Sequence, residues 1–155
     1  MAHSAGDGLV VRQAGHSDFK TLLLIIAEAS PQSHDGQIRQ LVEQALGESM
    51  ALIASKSGEP IGCVLGQCKP CTVIHTLCVS PSERRRGHAQ ALISAAVIDP
   101  KFTEGSNSFW VAIDPNSPNA EKAFVANGFR APHTDHVPGW GFRDLRLMYR
   151  KVERT

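Results

Sequence analysis

The sequence has no long apolar run. The stretch LLLIIA at 22–27 falls far short of the roughly 20 residues that a membrane-spanning helix needs. It also sits behind His16, Asp18 and Lys20, so it does not read as a secretory leader. A basic surplus is missing as well: 16 Lys and Arg face 15 Asp and Glu, for a net charge of +1. Duplex nucleic acid is bound mainly by neutralising its phosphates, so a protein that lives on it carries such a surplus. Nucleic acid and membrane are therefore not expected partners. Repeats, low-complexity tracts and linkers are absent too. One C-x-x-C stands at Cys68 and Cys71, but no second one accompanies it, and a zinc site needs two more ligands at suitable spacing. It reads as a hairpin turn with exposed thiols, leaving a reversible Cys68–Cys71 disulfide open. With no export signal the expected compartment is the cytoplasm, where the cysteines at 63, 68, 71 and 78 stay reduced.

What is there suits one domain. The chain has 155 residues, 42% hydrophobic and 20% charged, a composition that can bury a core. Residues 1–8 (MAHSAGDG) are small and polar and read as a flexible tail, leaving 9–155 as the domain. LVVRQA (9–14) reads as a strand. A helix follows, with Ser17 as its N-cap. A second runs over about 37–46, where Ile38, Leu41, Val42, Ala45 and Leu46 fall at helical spacing. Strands follow at 50–56, 61–67 and 72–79. A helix over about 85–98 turns Ala89, Leu92, Ile93, Ala96 and Val97 inward. A strand at 108–113, a helix at 119–127 closed by Gly128, a short strand at 129–131 and a final strand at 142–151 complete the chain. Sequential strands joined by short turns pair antiparallel, and the later helices are crossovers. The expected fold is α/β (α+β): a mixed, mostly antiparallel sheet of about six to seven strands flanked by about four helices.

The stretch RRRGHA at 84–89 carries the chemistry. It lies where a strand gives way to a helix, whose first N–H groups are unpaired and whose dipole end is positive. Gly87 and Ala89 let a ligand approach the backbone. Arg84, Arg85 and Arg86 add charge-assisted donors. A compact pyrophosphate suits this arrangement better than an extended duplex, although a basic run can also be plain solvated surface.

RRRGHA also fits Gln/Arg-x-x-Gly-x-Gly/Ala, the coenzyme A pyrophosphate signature of the GCN5-related N-acetyltransferase (GNAT) superfamily. SPNAEKAFVANGF (117–129) resembles that family's second motif, and the element order resembles the family's from the first strand to the last. The resemblance implies an acetyl-CoA-dependent N-acetyltransferase with no metal, in which acetyl-CoA lies where two central strands splay apart. Leu77, Cys78 and Val79 would line the pantetheine arm, one N–H serving the thioester oxygen. The backbone of 85–89, including His88, would hold the pyrophosphate, and Ser117 or Asn119 would bond the sulfur or the pantetheine. Cys78 would be a wall residue rather than an acyl carrier, since the family transfers directly to the amine.

His75 is the candidate base for the acceptor ammonium, whose ordinary pKa is about 10.4; a histidine holds this place in the arylalkylamine acetyltransferases. It can equally be a half-buried sheet residue. Phe124 stands where many members carry a tyrosine that protonates the leaving thiolate. The only tyrosine is Tyr149, so no acid is assigned; a thiolate of pKa about 8.5 can leave unaided. His133, Asp135 and His136 resemble a metal cluster but read as a polar loop beside the acceptor site. Trp110 and Trp140 read as packing residues, Trp140 also as a pocket wall. Asp114 could attract a cationic amine. Asp114-Pro115 and the Leu147, Met148, Arg150 strand resemble aminoglycoside 6'-N-acetyltransferases. The first choice of acceptor is a small-molecule primary amine: arylalkylamine-, polyamine- or aminoglycoside-like. A protein or peptide amine, and a non-catalytic acyl-CoA-binding module, are the alternatives. The preferred acyl group and a homodimer stay open.

Overall fold

A computed structural model describes residues 2–5, 8–29, 35–68, 71–113, 118–131 and 146–152. The strands are β1 (Ala2–Ala5), β2 (Leu9–Gln13), β3 (Ala51–Lys56), β4 (Glu59–Cys68), β5 (Thr72–Val79), β6 (Ser108–Ile113) and β7 (Arg146–Lys151). The helices are α1 (Phe19–Ala29), α2 (Asp35–Gly47), α3 (His88–Ile98), α4 (Pro100–Thr103) and α5 (Pro118–Ala126). All seven strands form one sheet in chain order. Every neighbouring pair is antiparallel except β5 and β6, which run parallel. This is the mixed, mostly antiparallel α/β domain that the pattern predicts.

Four details differ from the sequence reading. Residues 2–5, read as tail, form edge strand β1, registered on β2 from Ala2↔Arg12 to Ala5↔Leu9. Ser17 is not a cap but lies inside a 3-10 turn, His16–Asp18. Asp18 instead ties that turn down: it accepts the Gly15 N–H at 2.8 Å and a two-pronged bond from Arg12 at 2.9 and 3.0 Å. The Arg12 guanidinium holds its carboxyl below the ordinary range. Helix α3 starts at His88 rather than Arg85, because Arg85 has φ +65° and Gly87 has φ +80°, which no right-handed helix accommodates. Residues 129–131 contribute only a single bridge, Arg130↔Tyr149.

The sheet carries a core on each face. On one side Leu92, Ile93, Ala96 and Val97 of α3, Phe102 of α4 and Phe124 of α5 pack on Leu52, Val64, Ile74, Phe109 and Met148. On the other, Leu22, Ile25 and Ile26 of α1 and Val42, Ala45 and Leu46 of α2 pack on Ala51, Ile53, Cys63, Leu65 and Cys78. Two features of β5 then position the site. Its pairing with β4 slips between Leu65↔Thr76 and Gly66↔Ile74, leaving His75 as the extra residue of a bulge. Its pairing with β6 spans only Thr72↔Phe109 to Ile74↔Val111. Beyond Ile74 the two strands part, since β6 continues to Ile113 beside β7 while β5 runs on to Val79 beside β4.

Candidate active site

A cavity of about 840 Å³ opens beside the part of β5 that β6 no longer pairs with. Leu77, Cys78 and Val79 of β5, Arg84, Arg85, Gly87, His88 and Ala89 of the following loop and helix, and Asn119 of α5 all line it. Sequence reasoning named each of these. Arg86 and Phe124 stand outside that lining: Arg86 pairs with Glu83 at 3.7 Å, and Phe124, 2% exposed, packs edge-on against Phe129 at 5.0 Å. Ser117, Asp114, His133, Asp135, His136 and Trp140 lie outside the described residues. Trp110 stacks on Tyr149 with ring centroids 5.1 Å apart, as a packing residue would.

The strand supplies backbone groups to the cavity by parity. Ser80 N–H donates to Ile61 O at 2.7 Å. With a period of two along an antiparallel ladder, Cys78 also turns its N–H to β4. Leu77 and Val79 then aim theirs at the flank that β6 has left. Gly62 allows β4 to lie so close, because a Cβ there would stand 2.7 Å from the Cys78 carbonyl oxygen.

Below the strand, left-handed conformations at Arg85 and Gly87 curl the backbone so that successive N–H groups can converge. Such a nest binds anions. The first N–H groups of α3 add to it, having no partner within the helix. Nothing lies within 4 Å of a Cβ built on Gly87, so the space before the loop is open to a ligand.

Glu83 was missed by sequence reasoning. Its Oε1 lies 3.2 Å from His88 Nε2, 3.3 Å from Lys56 Nζ and 3.7 Å from Arg86 Nη1. Burial raises its pKa, but His88, Lys56 and Arg86 together outweigh that and lower it. This carboxylate lines the cavity and anchors three cationic or protonatable groups beneath the nest. Only the spacing Glu83-x-x-Arg86-x-His88 signals it in the sequence.

His75 sits at the bulge, not on the cavity wall. Its Nδ1 is 2.8 Å from Thr76 Oγ1, while its Nε2 is buried without a hydrogen-bond partner. Burial lowers its pKa to about 4, so the ring is neutral at neutral pH. The thiols behave differently from a nucleophile. Cys63 and Cys78 face each other across β4 and β5. The bond to Cys78, with burial, pushes the Cys63 pKa well above the ordinary thiol value. Burial raises Cys71 likewise; Cys71 is buried and Cys68 half-buried, not the exposed thiols expected of that turn, and none of the four cysteines forms a disulfide. Among the described residues no group of three or more His, Cys, Asp or Glu is placed to hold a metal ion.

The model of the acetyltransferase (GNAT) family matches residues 19–129. The chain belongs to that family. Among curated proteins none matches. Solved structures share the fold of this acetyltransferase at low identity. A GNAT-family acetyltransferase from Bacillus cereus is 21% identical, with TM-score 0.75 over 94% of this chain and 99% of the other. The diaminobutyrate acetyltransferase EctA of Paenibacillus lautus, in complex with L-2,4-diaminobutyric acid and coenzyme A, is 15% identical, with TM-score 0.72 over 95% and 96%. The ribosomal-protein-S18-alanine N-acetyltransferase of Escherichia coli is 14% identical, with TM-score 0.74 over 95% and 96%.

Proposed function

We propose that this acetyltransferase binds acetyl-CoA in the β5 cavity and transfers the acetyl group directly to the primary amine of a small molecule. One observation carries the reading: a backbone nest at the start of α3 opens into the same cavity as the unpaired flank of β5. A pyrophosphate needs the first and an extended pantetheine arm needs the second. The residues fit the cosubstrate without further adjustment. The N–H groups of 85–89 would hold the pyrophosphate, Asn119 and the flank of β5 the arm. Bound acetyl-CoA supplies an activated thioester.

The protein's own groups then do three things. The Leu77 N–H, directed into the gap, donates to the oxygen on which charge develops; removing one such donor in other enzymes costs about 10²–10³ in rate. Helices α3 and α5 line the cavity with the small apolar side chains of Ala89, Ala120 and Ala123. His75 stands off the cavity wall with its unpartnered Nε2 buried, so as the assigned base for the acceptor ammonium it acts through a proton relay and not by direct contact. No side chain is assigned to protonate the departing thiolate, since Phe124 has no proton to give. Four cysteines outside any disulfide suit the cytoplasm, and among the described residues no helix is long and apolar enough to cross a membrane.

The diaminobutyrate enzyme acts on a small amine and the S18-alanine enzyme on a protein, so the acceptor class is the open half of the proposal. Calorimetry with acetyl-CoA, paired with thiol release over a panel of small amines and N-terminal peptides, tests both halves. Tight binding with release on one small-amine class supports the reading. Release on peptides alone moves it to protein acetylation. Binding with no release on any amine makes the chain an acyl-CoA-binding module, and no binding refutes the site.

A further inference from the structure

The side chain of Arg84 does not point where its place in the motif suggests. Its Nε donates to Val79 O at 3.2 Å and its Nη2 to Ala29 O at 3.2 Å. Val79 is the last residue of β5 and Ala29 the last of α1. Both also line the cavity, as Arg84 does. Ala29 O belongs to the last four carbonyls of α1, which have no partner inside the helix and sit at the negative end of its dipole. A guanidinium is the group that suits such an end, and its planar fork can reach two carbonyls at once.

We infer that Arg84 is a positioning residue that clamps the end of α1 onto the cofactor loop, rather than a grip on the pyrophosphate. The cradle itself needs only backbone N–H groups, supplied by 85–89. Arg84 precedes that run, and its own N–H is turned back to Pro81 O at 3.5 Å. Its charge is already engaged by two carbonyls from two different elements. Those elements meet the loop nowhere else through a charged side chain among the described residues. A ligand that orders the loop therefore also steadies the last turn of α1, 55 residues earlier in the chain. The clamp itself exists in the free protein; its response to coenzyme A rests on the cofactor site proposed above.

Amide hydrogen exchange on the intact protein tests both parts, with coenzyme A as the probe. In the free protein, Arg84→Ala and Arg84→Lys each speed exchange at 26–29 by at least about fivefold, because a single ammonium cannot span both carbonyls. With coenzyme A bound, the wild type slows exchange at 85–90 and again at 26–29. Arg84→Ala keeps the coenzyme A Kd within about threefold and the protection at 85–90, but loses that at 26–29. Unchanged exchange at 26–29 in the free variants overturns the clamp. A rise in Kd of tenfold or more in Arg84→Ala, restored by Arg84→Lys, overturns it differently, by making Arg84 a charge for the phosphates. If the wild type binds no coenzyme A, the proposed cofactor site fails while the free-protein arm still decides the clamp.

Discussion

Strand β5 has two environments along eight residues. Its first three, Thr72–Ile74, are paired on both sides. Thr72 is also pinned at its end, with its N–H donating to Ser106 Oγ at 2.9 Å and its hydroxyl to Phe102 O at 2.7 Å. After the bulge, Thr76–Val79 keep only β4, and Leu77, Cys78 and Val79 line the cavity. One half holds the sheet together. The other gives up a row of backbone hydrogen bonds and exposes the groups a ligand can use. The bulge at His75 divides them. A strand can thus be structural and functional in series, provided the neighbour on one side leaves at a defined residue.

The largest effect is expected at that dividing residue. Replacing His75 with Gln should lower turnover about 100-fold or more, the usual worth of general base catalysis, with the coenzyme A Kd within about threefold. Steady-state kinetics beside calorimetry separates the two; a loss under fivefold removes His75 from the chemistry. The same ring makes stability depend on pH. Its folded pKa, about 4, lies below the unfolded value near 6.5. Between these limits the unfolded chain binds more protons, so stability rises as pH climbs from about 4 to 6.5. The gain approaches 3 kcal/mol by order of magnitude. Urea melts across that window should show it, and the Gln variant should be flatter. Activity limited by His75 would fade only as pH nears 4, not near 6.5.

Next comes Gly62, where β4 meets the functional half. A Cβ there would stand 2.7 Å from the Cys78 carbonyl oxygen and 3.2 Å from Leu92. Gly62→Ala must push the strands apart, at a cost of roughly 1–3 kcal/mol. A thermal melt measures it, and an unchanged Tm would mean that β4 and β5 separate more easily than the packing implies.

Gly87 reverses this logic, since nothing crowds it. Gly87→Leu should leave the core alone and cost about tenfold or more in coenzyme A affinity, because its φ of +80° disfavours a side chain and the added bulk enters the ligand's space. Calorimetry with a parallel melt reads both. Lost stability with intact affinity would move the pyrophosphate elsewhere.

How far the sequence could be read follows the same division. Wall residues 84, 85 and 87–89 were legible from a glycine between a strand and a helix flanked by arginines, and 77–79 from the family resemblance which that motif carries. The helix faces were legible from periodicity. The bulge was not, since one extra residue leaves no mark on the alternation of TVIHTLCV, in which a regular strand would put His75 on the face of Val79. The start of α3 was misjudged because arginines favour helices locally, while the left-handed turns at Arg85 and Gly87 set the boundary. Strand β1 was missed because AHSA has no apolar pattern and owes its strand to its pairing with β2. The roles of Glu83 and Arg84 depend on partners up to 55 residues away, which no local pattern contains.

The smallest effect should come from Cys78, although it stands in the functional half and lines the cavity. A cysteine beside a thioester invites the idea of an acyl-cysteine intermediate. Against it, the residue is 8% exposed, lies in the apolar cluster beneath α1 and α2 and shares a hydrogen bond with the Cys63 thiol. A nucleophilic thiol needs an electropositive, accessible setting, and this one is apolar and closed. What β5 offers the ligand at this level is the backbone of Leu77 and Val79, which a side-chain change at 78 leaves intact. Cys78→Ala should therefore keep turnover within about threefold and lose only the packing of one small side chain. A mass spectrum after brief incubation with acetyl-CoA should show no added 42 Da on the wild-type protein (the mass of one acetyl group in place of hydrogen, on the order of a single modification). Loss of turnover by 100-fold in the variant, together with that adduct in the wild type, would convert direct transfer into a two-step mechanism and make the open half of β5 catalytic through its side chains as well as its backbone.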